Sequence, residues 1–363
     1  MNILKSYSTD IRNAVLRSRR GSADNFTGYS SSELKKASAI GSISEGSEGR
    51  NFLSLDGITS PYDANLAVLG EHPDFKHLKG TDQTEKHYIV SVFMDMKNST
   101  QLNDVYDDDT VLYITNTVQK AAIHVCLVLG GHIQRLQGDG VFVYFGGRSV
   151  TKSDAVRQAL TATSLFTYFV KNDLAEIFEE DGVENICTRT GIDFGDDHQV
   201  LWGTFGTGGC IELTTQSLHT SLASHCQGYA SKNGIVVGNN VKDRAMLDEN
   251  MFDCVRKPDG NIEYVYIGKK KGIYYKQYSF DWLRYLKSLP YTGIDSDGKL
   301  YILSSEQQEQ ARINRLKQTA SVIQSGNIYT NDKGQLTTQP TQVQNQPHRF
   351  HYAEPLSAEG KAF

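Results

Sequence analysis

No uninterrupted apolar run in this chain is long enough to cross a bilayer. The longest apolar stretch, residues 121–130, is itself interrupted by His124 and falls well short of the roughly 18–20 residues that a spanning helix needs. Disulfide signals are missing too. The five cysteines (Cys126, Cys187, Cys210, Cys226, Cys254) are scattered, odd in number and never spaced as Cys-x-x-Cys, which predicts reduced, mostly buried thiols and a cytoplasmic setting. Positive charge is not in excess. A formal net charge of -5 gives no reason to expect DNA or an anionic membrane as a partner. Internal repeats are absent as well, and 39% hydrophobic content over 363 residues fits one globular domain with substantial flanks.

What the chain does have is concentrated in residues 87–146. The run His-Tyr-Ile-Val-Ser-Val-Phe-Met (87–94) is apolar on both faces, which predicts a central strand delivering Asp95 at its C-terminal end. Further on, Gly138-Asp139-Gly140 interrupts two β-prone runs within 135–145 and reads as a hairpin turn. Two strand-end carboxylates on adjacent strands would point at one spot, where they repel unless a cation sits between them. The alternative is that Asp139 is there for turn geometry alone.

Around this core the pattern predicts an amphipathic N-terminal helix over 1–20, where Asp10 and the lack of a cleavage pattern speak against a transit peptide. A flexible linker with a short helix near 62–69 fills 21–85. Asp107, Asp108 and Asp109 open a helix that Gly130-Gly131 ends. Acids at a helix start suit the dipole, the alternative being metal ligation. A long helix over 153–180 follows, then strands at 187–194 and 200–205, a helix near 217–231, and strands at 234–237, 262–267 and 272–278. This interleaving predicts an α+β domain over 86–280, an antiparallel-rich sheet with helices on one face. A helical extension over 281–328 and a disordered Gln/Thr/Asn/Pro-rich tail over 329–363 complete the chain.

The motifs Phe93-Met-Asp95-Met-Lys-Asn-Ser-Thr100, Arg135-Leu-Gln-Gly-Asp139-Gly-Val-Phe-Val-Tyr-Phe145, Arg189-Thr-Gly-Ile-Asp-Phe-Gly195 and Val200-Leu-Trp-Gly-Thr-Phe-Gly206 resemble, in order and spacing, the class III nucleotide cyclases. The resemblance covers roughly half the chain. It implies a ferredoxin-like cyclase homology domain that closes a nucleoside triphosphate into a 3′,5′-cyclic nucleotide and pyrophosphate. It also implies two divalent ions, Mn²⁺ or Mg²⁺, held by Asp95, the Met96 carbonyl and Asp139. Lys97, Asn98, Ser99 and Thr100 would wrap the phosphates, and Lys271, in the run 269–271, would grip them; a solvated charge run is the alternative there. A head-to-tail homodimer with shared active sites is part of the same implication.

Where the family reads the base, this chain has Arg135 and Thr214. Where the purine enzymes carry Asn and Arg, it has Ser221 and His225, or His219 and Ala223 if the alignment shifts by two. These departures look most like the bacterial Pycsar pyrimidine cyclases, which would make the product a second messenger in antiphage defence, read by a separate effector. Donor counting at Arg135 predicts UTP, since uracil presents O4 and O2 as acceptors, with CTP as the alternative. Two further readings stay open: a diguanylate-cyclase-like enzyme, and an inactive domain that binds a nucleotide.

Overall fold

The computed structural model describes residues 68–303, apart from 181, 184 and 185, and beyond them 305–324, 329–330 and 336–337. The expected N-terminal helix, nearly all of the linker and most of the C-terminal tail lie outside the described residues. The chain falls into two units, 1–305 and 306–363.

Strands β1 (Glu85–Lys86) and β2 (Ile89–Met96) lead into helix α1 (Asp108–Val128) and the hairpin β3 (Gly131–Gln137) and β4 (Gly140–Phe145). Helices α2 (Lys152–Tyr168) and α3 (Ala175–Glu180) follow, joined by a π-helical turn over Phe169–Leu174, and then β5 (Thr188–Gly195). The spatial order β5-β2-β4-β3, antiparallel throughout, is that of a ferredoxin-like βαββαβ unit. Beyond it come β6 (Leu201–Thr207), β7 (Cys210–Gln216), α4 (Leu218–Tyr229), β8 (Gly234–Gly238), α5 (Asn239–Ala245), β9 (Phe252–Cys254), β10 (Tyr264–Gly268) and β11 (Ile273–Phe280). β8 joins β5 in parallel and β11 extends that edge, giving an eight-stranded sheet. Helix α6 (Trp282–Ser288), the small hairpin β12 (Thr292–Ile294) and β13 (Leu300–Ile302), and helix α7 (Ser305–Gln324) end the described chain apart from two short strand segments.

Strand period two decides the layers. Val90, Val92, Met94 and Met96 of β2 point into the main core with Ile114, Val118, Ala159 and Phe166 of α1 and α2. α1 is long and apolar enough by composition to span a membrane. Here it covers the sheet instead: Ile114, Val118, Ala121 and Cys126 are buried, and Asp107 caps its start by accepting from the Thr110 amide at 2.8 Å.

The alternate residues of β2 face the other way, and the expectation of helices on one face needs amending there. Ile89 and Phe93 meet Phe142, Tyr144, Trp202 and Leu213 beneath a three-stranded sheet, β1-β6-β7. Beside that sheet, α4 lies directly on β5 and β2. Gly191 permits this approach, because a Cβ at that position would clash with the α4 backbone at Ala223 and Gln227. A glycine in a strand is thus the local reason that a helix sits on the second face.

Candidate active site

Asp95 is the last but one residue of β2, inside the ladder and paired with Arg189 of β5. Asp139 occupies the β3–β4 turn beside it. Gln119 of α1 steadies that turn by donating to the Gly138 carbonyl at 2.7 Å. The two oxygens of Asp95 have different surroundings. Oδ2 accepts from Arg189 Nε at 3.0 Å, Arg189 Nη2 at 2.7 Å and Gln227 Nε2 at 2.9 Å. Oδ1 faces the hairpin, 3.5 Å from where a Cβ on Gly140 would stand. Asp139 Oδ2 is buried without a hydrogen-bond partner.

Burial pushes the Asp95 carboxyl above the usual range. Asp139 adds to the rise, and Arg189 opposes it. An orphaned acid oxygen next to a second carboxylate is the donor set a hard divalent cation takes. Among the described residues no group of three or more His, Cys, Asp or Glu side chains could hold an ion, so a cation here would have to rest on two carboxylates and backbone carbonyls, the Met96 carbonyl being the one the resemblance implies.

The segment after Asp95 is partly committed elsewhere. The Lys97 amide donates to the Cys187 carbonyl at 2.9 Å, and Lys97 Nζ reaches the Ala230 carbonyl at 3.2 Å. Asn98 adopts a left-handed conformation (φ 64°) that turns the chain into the short 3-10 helix Ser99–Asp104, so Ser99 and Thr100 open that helix.

A second constellation surrounds Arg135. The β3–β4 register shifts between Ile133 and Arg135, so that Gln134 and Arg135 both reach Glu212 of β7. Arg135 Nε and Gln134 Nε2 each donate to Glu212 Oε1 at 3.0 Å, and Arg135 Nη2 pairs with Oε2. Thr214, two residues along β7, shares a hydrogen bond of 3.1 Å with the Tyr144 hydroxyl.

Ser221 and His225 sit on the exposed face of α4, away from the sheet. The shifted alternative fares differently: His219 is buried against Asp193, with 2.9 Å between Nδ1 and Oδ2, and Ala223 is buried against Gly191. Lys271 belongs to the 3-10 turn Lys269–Lys271, and its side chain lies outside the described residues. One chain therefore brings Asp95 and Asp139 together, and puts Arg135 on β3 and Thr214 on β7, strands of two different sheets that the Arg135–Glu212 pair links, while leaving Ser221 and His225 facing outwards.

Arg189, Gln227 and Glu212 were not singled out from the sequence. Arg189 and Gln227 meet Asp95 only through pairings 94 and 132 residues apart. Glu212 had a weak signal, its period-two spacing from Thr214.

Set beside characterised proteins, the chain is 38% identical over 223 residues to a cytidylate cyclase of Staphylococcus aureus, covering 61% of this chain and 52% of that protein. It is 31% identical over 259 residues to a cytidylate cyclase of Escherichia coli, covering 69% of this chain and 56% of that one. The chain thus spans about half the length of the curated relatives it matches. Among solved structures, the adenylyl cyclase CyaB from P. aeruginosa is similar with a TM-score of 0.46 at 18% identity, over 55% of this chain and 95% of that one. No protein-family model matches. Sequence kinship and motif pattern agree: the chain is similar to bacterial cytidylate cyclases, and its motifs resemble those of the class III nucleotide cyclases.

Proposed function

We propose that this protein is a pyrimidine nucleotide cyclase that converts CTP into 3′,5′-cyclic CMP and pyrophosphate. The observation that carries the reading is the Asp95–Asp139 corner, where a buried acid oxygen has no partner and a second carboxylate lies against it. When bound there, divalent cations such as Mn²⁺ or Mg²⁺ acidify the ribose 3′-hydroxyl and hold the leaving phosphates. The protein's part is to fix Asp95 and Asp139 on adjacent strand ends and to line the corner with Asn98, Ser99 and Thr100.

Glu212 favours cytosine. Arginine alone suits a base edge made of acceptors, which is why Arg135 by itself predicts UTP. With Glu212 bound to it, the pocket offers a donor and an acceptor side by side. That pair matches N3 and the 4-amino group of cytosine, with the carboxylate taking the amino proton. Uracil in the same pose sets O4 against the carboxylate, acceptor facing acceptor. The cytidylate cyclases among the relatives support the same choice. UTP is the second reading, favoured by the free choice of donor or acceptor at Thr214.

A shared-site homodimer fits the outward-facing positions of Ser221 and His225. Each copy would supply Asp95 and Asp139 to one site and Arg135, Glu212, Thr214 and His225 to the other. The cyclic product would then act as a second messenger on a separate effector. Incubation with each of the four nucleoside triphosphates and Mn²⁺ or Mg²⁺, with products identified by mass, tests the activity. Cyclic CMP as the main product is expected. Turnover of none of the four would leave a nucleotide-binding module instead.

A further inference from the structure

Oδ2 of Asp95 takes three donors, two from Arg189 and one from Gln227, at 2.7–3.0 Å. Three donors fill the lone-pair positions of one carboxylate oxygen, so a cation can reach Oδ2 only by displacing one of them. Charge points the same way. Two carboxylates and one guanidinium leave the corner with a single net negative charge, enough to attract a first divalent cation and too little to favour a second.

We propose that Arg189 is a built-in counter-ion of this corner: it occupies one oxygen of Asp95 in the free protein and releases it when the site takes its full load of cation and triphosphate. The inference rests on the reading of Asp95 and Asp139 as cation ligands. Arg189 is a positioning residue here, acting through Asp95. Its side chain is 30% exposed, which gives the guanidinium room to withdraw, and incoming phosphates offer it a second anionic partner. Gln227 makes the clamp depend on how α4 is seated. Gly191 admits the α4 backbone at Gln227, and Lys97 Nζ ties the chain after Asp95 to the Ala230 carbonyl at the same helix end. Metal corner and helix are therefore fastened at two points, and a shift of α4 changes what Oδ2 is holding.

The test is Mn²⁺ binding to the nucleotide-free full-length protein, followed by the electron paramagnetic resonance signal of free Mn²⁺, which needs no turnover. Wild type should bind one ion. Arg189→Met should bind Mn²⁺ about tenfold more tightly, or take a second ion, because one opposing charge is gone and Oδ2 is open. Arg189→Lys, which keeps the charge, should stay close to wild type. Gln227→Leu keeps all charges and removes one donor, so it should tighten binding by a smaller factor; it serves as the test if Arg189→Met does not fold. A merely structural role for Arg189 would lower the melting temperature and leave Mn²⁺ affinity unchanged or weaker, and that result overturns the proposal. If neither wild type nor Arg189→Met binds Mn²⁺, the metal reading of Asp95 and Asp139 falls and this inference falls with it. Equal binding by the two sinks the counter-ion alone.

Discussion

Asp95 and Asp193 lie on the same sheet face, under the same helix, and meet different fates. Asp193 of β5 is wholly buried, and burial pushes its carboxyl up. His219 meets its Oδ2 at 2.9 Å and Tyr275 donates to its Oδ1 at 2.8 Å, so both oxygens are satisfied. Asp95 has one saturated oxygen, while the other faces an acid that is itself short of a partner. Helix α4 serves both, through His219 two turns before Gln227. A buried acid with both oxygens engaged holds a helix to a sheet. One with an oxygen left over, aimed at a second carboxylate, is arranged to bind something.

The sharpest way to break this contrast is to remove each acid in turn. Asp139→Ala or Asp95→Ala should reduce cyclase turnover below about 1% of wild type. For Asp139→Ala, metal-free thermal stability should hold or rise, since a source of repulsion has gone. Asp193→Ala should do the reverse to stability, stranding His219 and the Tyr275 hydroxyl in the interior at a cost of about 2–4 kcal/mol, read as a lower melting temperature. An Asp139→Ala variant retaining a tenth of its activity would remove that residue from the cation site.

A second test asks whether the two corners belong to different sites. Mixing Asp139→Ala with Arg135→Ala under subunit exchange should regenerate one intact site per heterodimer, up to about a quarter of wild-type activity for random pairing. Mixtures as inactive as either parent would place both corners in the same site.

The base corner yields a smaller effect. In equimolar CTP and UTP, Glu212→Gln should move the product ratio towards cyclic UMP by about tenfold, because a side-chain amide can donate to O4 where the carboxylate cannot. An unchanged ratio would mean that Glu212 only steadies Arg135.

The mildest prediction concerns a third acid. Asp173, in the π-helical turn, also has a buried oxygen without a hydrogen-bond partner. Burial first, then Glu176, push its carboxyl up to about 6, with Lys299 opposing. A raised carboxyl favours folding while protonated, so that contribution is present below the ordinary value near 4 and is lost as pH rises through about 6. Asp173→Asn should therefore raise the melting temperature by a few degrees at pH 7, roughly 1 kcal/mol after solvent screening, and by nothing at pH 4. Equal gains at both pH values would show that ionisation is not the cause.

Much of this was legible because it is local. The two-faced apolar run before Asp95, the Gly-Asp-Gly turn and the acid-rich start of α1 each announce themselves within a few residues, and all three occur as expected. The expected helix 153–180 is interrupted by a π turn, which leaves no mark in an apolar periodicity. β7 and α5 were not anticipated. β7 sits at the edge of the small sheet and mixes exposed, half-buried and buried residues, so it lacks the full apolar face that marks a strand. The cross-chain partners were hidden for a different reason. Arg189 opposes Asp95 only once the β2–β5 register is set, and Glu212 meets Arg135 only because a bulge turns two consecutive residues the same way.

The order of the strands also sets a timetable. β2 is made early, yet both of its neighbours come later, β4 about 50 residues on and β5 about 100. As the chain leaves the ribosome, Asp95 waits first for the hairpin that carries Asp139, then for Arg189, and last for Gln227, 132 positions downstream. Both repelling acids are thus synthesised before either donor that quiets Asp95. A chain truncated between residues 150 and 185 would carry both carboxylates and neither of the donors.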